Sequence, residues 1–356
     1  MRHLAISALV MLCCVGGALA QEEVKVVWSS QVMDVPPDPF YQLVGSSEPS
    51  TVVQAVARWA GWDKGERLDC TSTGESLRAV ALRENRTWTL VLWNSSDQKS
   101  RVAIEGYLPA GVYTVERLLM ADGGGITLFE RRNGLRQSAA GKVSRTEWLN
   151  PRSGMVLRFV ERVQTAEEGL GALRRAIWQS HVSPGVLSRL AGLMREMDNH
   201  WYQVRASLRK NDVRMAARGV HRMLFLASGV RVASSKYPGT EQVAILAESL
   251  IDALSELDSA ILNIVVTVRC EGERLEAQVA NAGTQVWKAL RIASNVGTDE
   301  PVVLANMKPM ERAEASFKLK GELPLATVNV SVLFNGGYAR LRVGCILPEE
   351  EKEVEG

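Results

Sequence analysis

The hundred residues from Gln164 to Asn263 carry no strand pattern, whereas the stretches on either side consist of short apolar runs separated by turn residues. A core-facing helix repeats its apolar positions about every 3.6 residues and a strand every second residue, so each stretch must bury its apolar side differently. The central stretch predicts four helices, over Thr165–Ser180, Pro184–Lys210, Asp212–Ser234 and Thr240–Asn263. Pro184 suits a first helical turn, and Asp212 and Thr240 are N-cap residues. In the last stretch Val243, Leu246, Ala247, Leu250, Leu254, Leu257 and Ile261 recur at helical spacing and define one buried face. Short connections make neighbours antiparallel, so the expectation is a bundle of three or four helices.

From Leu68 to Val160 about eight strand-length segments alternate with turn residues, among them Leu77–Arg83, Thr87–Trp93, Arg101–Glu105 and Val112–Leu119. Asp122-Gly123-Gly124-Gly125 and Asn133-Gly134 read as hairpin turns, the second by a strong two-residue signal. Antiparallel strands at this spacing predict a β-sandwich. From Ile264 to Leu347 seven more strands fit into about 85 residues, the size of an immunoglobulin-like sandwich. The expected fold is therefore multidomain α+β. Residues 21–65 form an extension with one helix, 66–162 a β-sandwich, 163–263 the helical bundle and 264–348 an immunoglobulin-like β-sandwich, with an acidic tail at 349–356.

The first twenty residues predict an address. Arg2 and His3 precede an apolar run from Leu4 to Val15, and Ala18-Leu19-Ala20 completes an A-x-A cleavage pattern. The run is shorter than the roughly 20 residues that span a bilayer, so an extracytoplasmic protein, secreted or periplasmic, is expected, with no membrane insertion after cleavage. Cys13 and Cys14 leave with that segment. Cys270 and Cys345 end two strands of the last unit, where an oxidising compartment permits a bridge, and two separate thiols are the alternative. Cys70 would then be an unpaired core residue.

Two stretches resemble known modules. Glu48–Gly61 followed by Gly65-Glu66-Arg67-Leu68, Leu77–Arg83, Trp88–Asn94 and Leu108-Pro-Ala-Gly-Val-Tyr113 are similar to the last barrel helix and C-terminal β-sandwich of glycoside hydrolases. The resemblance implies an accessory domain. A (β/α)₈ barrel needs roughly 200 residues ahead of that domain, and fewer than thirty lie between Gln21 and Glu48, so no catalytic carboxylate carries over to a residue here. Leu275–Gly283 resembles the "V-x-N-x-G" strand end of bacterial immunoglobulin-like modules that accompany adhesins and secreted carbohydrate enzymes. Leu304–Glu311 sits where those modules carry an "L-x-P-G-E" turn, with Met310 in place of the glycine.

Motifs of known chemistry are few. The sequence has no H-E-x-x-H, G-x-S-x-G, phosphate loop or C-x-x-C. His181, His200 and His221 stand alone on or beside helices, so no metal is expected, and no cofactor either. Asp63, Glu66 and Asp69 cluster after the first helix, but acidic residues in a turn are common on solubility grounds alone. Forty-two Lys and Arg against forty Asp and Glu leave a charge of +2, which excludes a bulk field for nucleic acid.

Tryptophan is the stronger lead, because six of the nine fall between Trp28 and Trp148. Trp88 and Trp93, five apart on one strand, must point to opposite faces. If Trp88 is inside, Trp93 is outside, free to stack on a sugar unless a loop or the helices cover it. Trp93, Trp88 and Trp148 are thus candidate binding residues. Arg205, Arg209, Arg214 and Arg218, with Lys210 and Arg222, form a loose basic stripe for a sulfated or uronic-acid polysaccharide or an anionic surface; a solvated helix face is the alternative. N-x-S/T sequons occur at Asn85, Asn94 and Asn329. These readings predict an exported, non-catalytic protein that binds carbohydrate or an envelope protein. A remnant or separate subunit of a glycoside hydrolase and a structural spacer without ligand remain as alternatives.

Overall fold

The computed structural model describes residues 23–34, 38–44, 50–121, 126–137, 141–271, 274–295, 299–318, 325–334 and 337–346. The apolar N-terminal segment, the turn at Asp122–Gly125 and the acidic tail lie outside them. In chain order the elements are β1 (Glu23–Val32), α1 (Phe40–Leu43), α2 (Thr51–Ala60), β2 (Glu66–Ser72), β3 (Leu77–Glu84), β4 (Thr87–Asn94), β5 (Ser100–Leu108), β6 (Gly111–Met120), β7 (Ile126–Gln137), β8 (Gly141–Leu149) and β9 (Ser153–Glu161). Four helices follow, α3 (Val163–Gln179), α4 (Pro184–Arg209), α5 (Val213–Ser234) and α6 (Glu241–Leu262). The chain closes with β10 (Ile264–Glu271), β11 (Arg274–Asn281), β12 (Trp287–Ser294), β13 (Val302–Leu304), β14 (Arg312–Lys318), β15 (Leu325–Phe334) and β16 (Gly337–Ile346).

Among the described residues the strands make two sheets. One has twelve strands in the order β14-β11-β10-β7-β6-β9-β4-β3-β2-β1-β5-β8, and the other four, β13-β12-β15-β16. The large sheet curls. In a flat sheet β1 and β9 would lie about 19 Å apart, four steps of roughly 4.8 Å. Instead the rings of Trp28 on β1 and Phe159 on β9 are 5.8 Å apart. The enclosed core takes Val26, Leu68, Leu90, Ile104, Tyr113 and Leu157, among others, from eight strands. Gly106 on β5 is the close-approach point, since a Cβ there would lie 2.0 Å from the Trp28 ring. The curl closes on side chains, where Arg117 of β6 meets Glu130 of β7 at 3.3 Å and Glu147 of β8 at 3.6 Å.

The sheet also crosses the boundary expected at residue 264. Strand β10 pairs with β7 as well as β11, Val265 opposite Arg132 and Val268 opposite Phe129. A second core runs unbroken from Val56 and Trp93 through Leu173, Met223 and Leu254 to Val266, Leu290 and Val330. The large sheet and this core thus run across the expected boundaries at 162 and 263. Two local expectations are corrected. The extension carries a ten-residue strand, β1, which adds in parallel to β5. Asn133-Gly134 makes no hairpin: β7 runs through it, and the register slips from Tyr113↔Leu135 to Thr114↔Asn133, leaving Gly134 as the extra residue of a bulge.

Local chemistry explains the element ends. Ser50 caps α2 through Val53 N at 3.2 Å, and Gly61 closes it in the left-handed region at φ 75°. Asp212 caps α5 through Met215 N at 3.0 Å. Thr240 does not cap α6 in that way; it is buried, and its hydroxyl donates to the Tyr237 carbonyl at 2.5 Å. The Leu108–Tyr113 motif works because the Tyr113 hydroxyl donates back to the Pro109 carbonyl at 2.9 Å, locking the β5–β6 turn. In the last unit the Asn281 amide donates to the Gln285 and Met307 carbonyls at 2.8 and 3.3 Å, the physical content of the strand-end motif.

Candidate functional site

Strands β1, β5 and β8 turn one side into the enclosed core and the other to solvent. Along β5 Val102, Ile104, Gly106 and Leu108 point inward, so Arg101, Ala103, Glu105 and Tyr107 point out; along β8 the outward set is Lys142, Ser144, Thr146 and Trp148. Register aligns these into rows, with Trp148 opposite Arg101 and Tyr107 opposite Lys142, while Arg101 stands beside Glu23 of β1. Among the described residues β8 is the edge strand of the sheet, and no further strand continues the surface beyond Trp148.

Trp148 is 45% exposed, Tyr107 is 40% exposed, and Lys99 Nζ sits 5.0 Å from the centre of the Trp148 ring. Six residues of β5 separate the two rows, which places the aromatic rings about 20 Å apart along the strand. Between them the polar groups are neutralised locally. Arg101 meets Glu23 at 3.4 Å, Lys25 meets Glu105 at 3.1 Å, and Lys142 also pairs with Glu105. Hydrogen bonds from Lys142 and then Lys25 hold the Glu105 carboxyl below the usual carboxylate range. Chemically this is a polar surface with an aromatic ring at each end.

The other tryptophans behave differently. Trp88 and Trp93 do face opposite sides of β4, but both are buried, at 6% and 4% exposure. Trp88 packs edge-on against Tyr113 in the enclosed core. Trp93 lies over Gly154 of β9, where a Cβ would fall 2.6 Å from its ring, and shares its core with Phe40, Leu43 and Val56 of the N-terminal helices. The outward position expected for Trp93 is thus covered, while Trp88 keeps only a small edge, at the β3–β4 hairpin. Trp93 does stand on the second face of the sheet, and there α1 and α2 cover it.

A cleft of about 530 Å³ opens at the β3–β4 hairpin, lined by Lys64, Glu66, Arg83, Glu84, Arg86 and Trp88. Its two arginines are engaged. Arg83 grips Glu66 at 2.6 Å, and Arg86 reaches Glu168 of α3 at 3.0 Å. Of the acidic trio only Glu66 lines it, and that carboxylate is in an ion pair. Among the described residues no group of three or more His, Cys, Asp or Glu is placed to hold a metal ion, and no helix is long and apolar enough to cross a membrane.

The basic stripe divides at the α4–α5 turn. Arg205 pairs with Glu167 of α3 at 2.7 Å and Arg209 ends α4, whereas Arg214, Arg218 and Arg222 are exposed on α5, which runs back antiparallel. Cys270 lies opposite Leu275 in the large sheet and Cys345 opposite Ala326 in the small one; their side chains are outside the described set, so their pairing is too. Cys70 is free, and burial, with the Asp69 charge adding, pushes its thiol up to about 12. Of the sequons, Asn94 is fully buried with its amide donating to the Gln98 and Asn150 carbonyls at 2.8 and 3.0 Å, so a glycan there would break the β4–β5 and β8–β9 turns.

No protein-family model and no curated protein sequence matches the chain. Parts of it are similar to segments of solved glycoside hydrolases. They include a GH30 endoxylanase from Clostridium papyrosolvens C71 (15% identity, 30% of this chain and 26% of that one, TM-score 0.22). The endoglucanase Cel44A of family 44 from Clostridium thermocellum aligns at 11% identity over 26% of this chain and 18% of its own, TM-score 0.20. A β-porphyranase of family 86 from the human gut bacterium Bacteroides plebeius aligns at 15% identity over 27% and 16%, TM-score 0.19. The chain thus spans about a quarter or less of each of these enzymes.

Proposed function

We propose that the protein is an exported, non-catalytic carbohydrate-binding protein whose binding face is the outer surface of β1, β5 and β8. The observation that carries this is Trp148, a large indole left 45% exposed on the sheet's edge strand with a lysine ammonium 5.0 Å from its ring. Large aromatics are ordinarily buried, and an exposed flat ring with polar groups around it suits the apolar face of a pyranose, while the neighbouring Lys, Arg, Ser and Thr suit its hydroxyls. Tyr107, about 20 Å along the strand, would engage a later sugar of the same chain. In this reading the curled strands are an accessory β-sandwich, β10–β16 an immunoglobulin-like one, and the N-terminal apolar run a cleaved export signal.

The test is binding to a panel of neutral and acidic glycans, read by calorimetry. Trp148→Ala is expected to abolish binding and leave the melting temperature nearly unchanged, because the side chain supports no core. Trp93→Ala is expected to cost about 3–5 kcal/mol of stability instead. Binding that survives Trp148→Ala, or a panel without a saturable ligand, overturns the proposal.

A further inference from the structure

Helix α5 is 22 residues long, carries four arginines, and contains no Asp or Glu. At about 100° per residue, Arg214, Arg218, Arg222, Phe225 and Val232 fall within about 80° of one another around the helix. All five are exposed, Phe225 at 73%. The opposite side of the helix, with Ala216, Val220, Met223 and Val230, is buried in the bundle core. The stripe is thus the outward face of a helix already anchored on its inward side.

Its arginines differ from those on the bundle seams. Arg174 pairs with Asp198, Arg205 with Glu167, and Arg231, the fourth arginine of α5, with Glu248. Among the described residues no carboxylate lies within ion-pair distance of Arg214, Arg218 or Arg222. Like charges at i and i+4 weaken a helix by a few tenths of a kcal/mol per pair, and α5 carries two such pairs in succession with nothing interleaved. An arginine fork is suited to planar carboxylate in a bidentate grip, and steps of four residues place successive forks about 6 Å apart along a straight row.

We infer that this face of α5 binds a linear anionic polysaccharide, a chain of uronic-acid residues, with Arg214, Arg218 and Arg222 gripping successive carboxylates and Phe225 stacking on a ring at the end of the row. A membrane surface fits less well, because a helix lying on lipid turns its main apolar face outward and α5 turns its own into the bundle. A partner helix fits less well too, since the exposed stripe offers two large apolar side chains, Phe225 and Val232, beside three arginines. The site is separate from the Trp148 face and does not rest on it.

The experiment is calorimetric titration of the full chain with polygalacturonate, at about 50 mM and about 200 mM salt. Saturable binding that weakens with salt, falls about tenfold for Arg218→Gln, disappears in the triple Arg214→Glu, Arg218→Glu, Arg222→Glu variant with an unchanged melting temperature, and persists in Trp148→Ala supports the site. Arg218→Gln carries the test alone if the triple variant fails to fold. Poly-L-glutamate or vesicles of anionic phospholipid binding as tightly as polygalacturonate would overturn the assignment, in favour of an acidic protein or a membrane respectively. So would polygalacturonate binding that Arg218→Gln leaves unchanged, or no binding at all.

Discussion

Asp258 should make the protein less stable at neutral pH than in mild acid. It lies on α6, one turn before Leu262, whose carbonyl occupies the space a Cβ on Gly283 of the β11–β12 turn would need. The side chain is fully buried, and neither carboxyl oxygen has a hydrogen-bond partner in the structure. Burial without a compensating donor holds its pKa well above the usual carboxylate range. The sign follows from linkage. Below the unfolded-state pKa, about 3.9, both states hold the proton and stability is highest. Above it the unfolded chain releases the proton while the folded chain retains it, so stability falls by about 1.4 kcal/mol per pH unit until the folded-state pKa is reached. Asp258→Asn is nearly isosteric and cannot ionise. The variant and the parent are expected to unfold at similar urea concentrations near pH 4 and to diverge as pH rises, with the variant the more stable at pH 7. The difference between them isolates this group from the other carboxylates, which titrate alike in both. Urea denaturation followed by far-UV circular dichroism between about pH 4 and about pH 8 gives the measurement. Parallel pH profiles, or a variant weaker than the parent at pH 7, would refute the reasoning and mean that the carboxylate has a donor.

Met310 occupies the left-handed region at φ 68° in the Lys308–Glu311 turn and is exposed, so Met310→Gly should raise stability by up to about 1 kcal/mol after glycine's entropy cost; thermal denaturation decides it, and no gain would mean that the left-handed conformation carries no net strain there. Gly106→Ala should cost on the order of 3 kcal/mol by driving a methyl into the Trp28 ring. The cost should shrink when Trp28 is also cut to Ala, a coupling that a double-mutant cycle reads directly. The Cys70 thiol, held protonated up to about 12, should stay unmodified by iodoacetamide at pH 8 in the folded protein and react once the protein is unfolded in urea.

Elements that declare themselves locally were legible in the sequence. The four long helices begin and end within two residues of the positions that Pro184, Asp212, Thr240 and the apolar spacing predict, and seven strands occupy the segment after Asn263. Met310 shows how a motif can be read through its physics. The turn that resembles one with glycine does need a left-handed residue there, with Pro309 before it and the Glu311 amide bonded to the Lys308 carbonyl at 3.2 Å. What stayed hidden depends on residues distant in sequence. Strand β1 pairs in parallel with β5, more than seventy residues on, and β7 pairs with β10 across the whole helical bundle. Asn133-Gly134 is as good a bulge as a turn, and only the partner strand decides which. Trp93 was placed on the correct face of β4, yet alternation says nothing about what covers that face.

The two proposed surfaces can be altered without unfolding the chain. Each lies on an element whose other side is already committed to a core: β8 buries Val143 and Leu149 beneath Trp148, and α5 buries Val220 and Met223 beneath Arg218 and Arg222. Side chains that alternate with core positions keep their orientation from the backbone and owe nothing to one another. Trp148 and Arg218 can therefore be exchanged separately, and loss of binding at either would report on the ligand. For Trp88 or Trp93 that inference fails, because each fills a core that the sheet needs in order to curl or to carry the helices. A binding defect there would report only on folding.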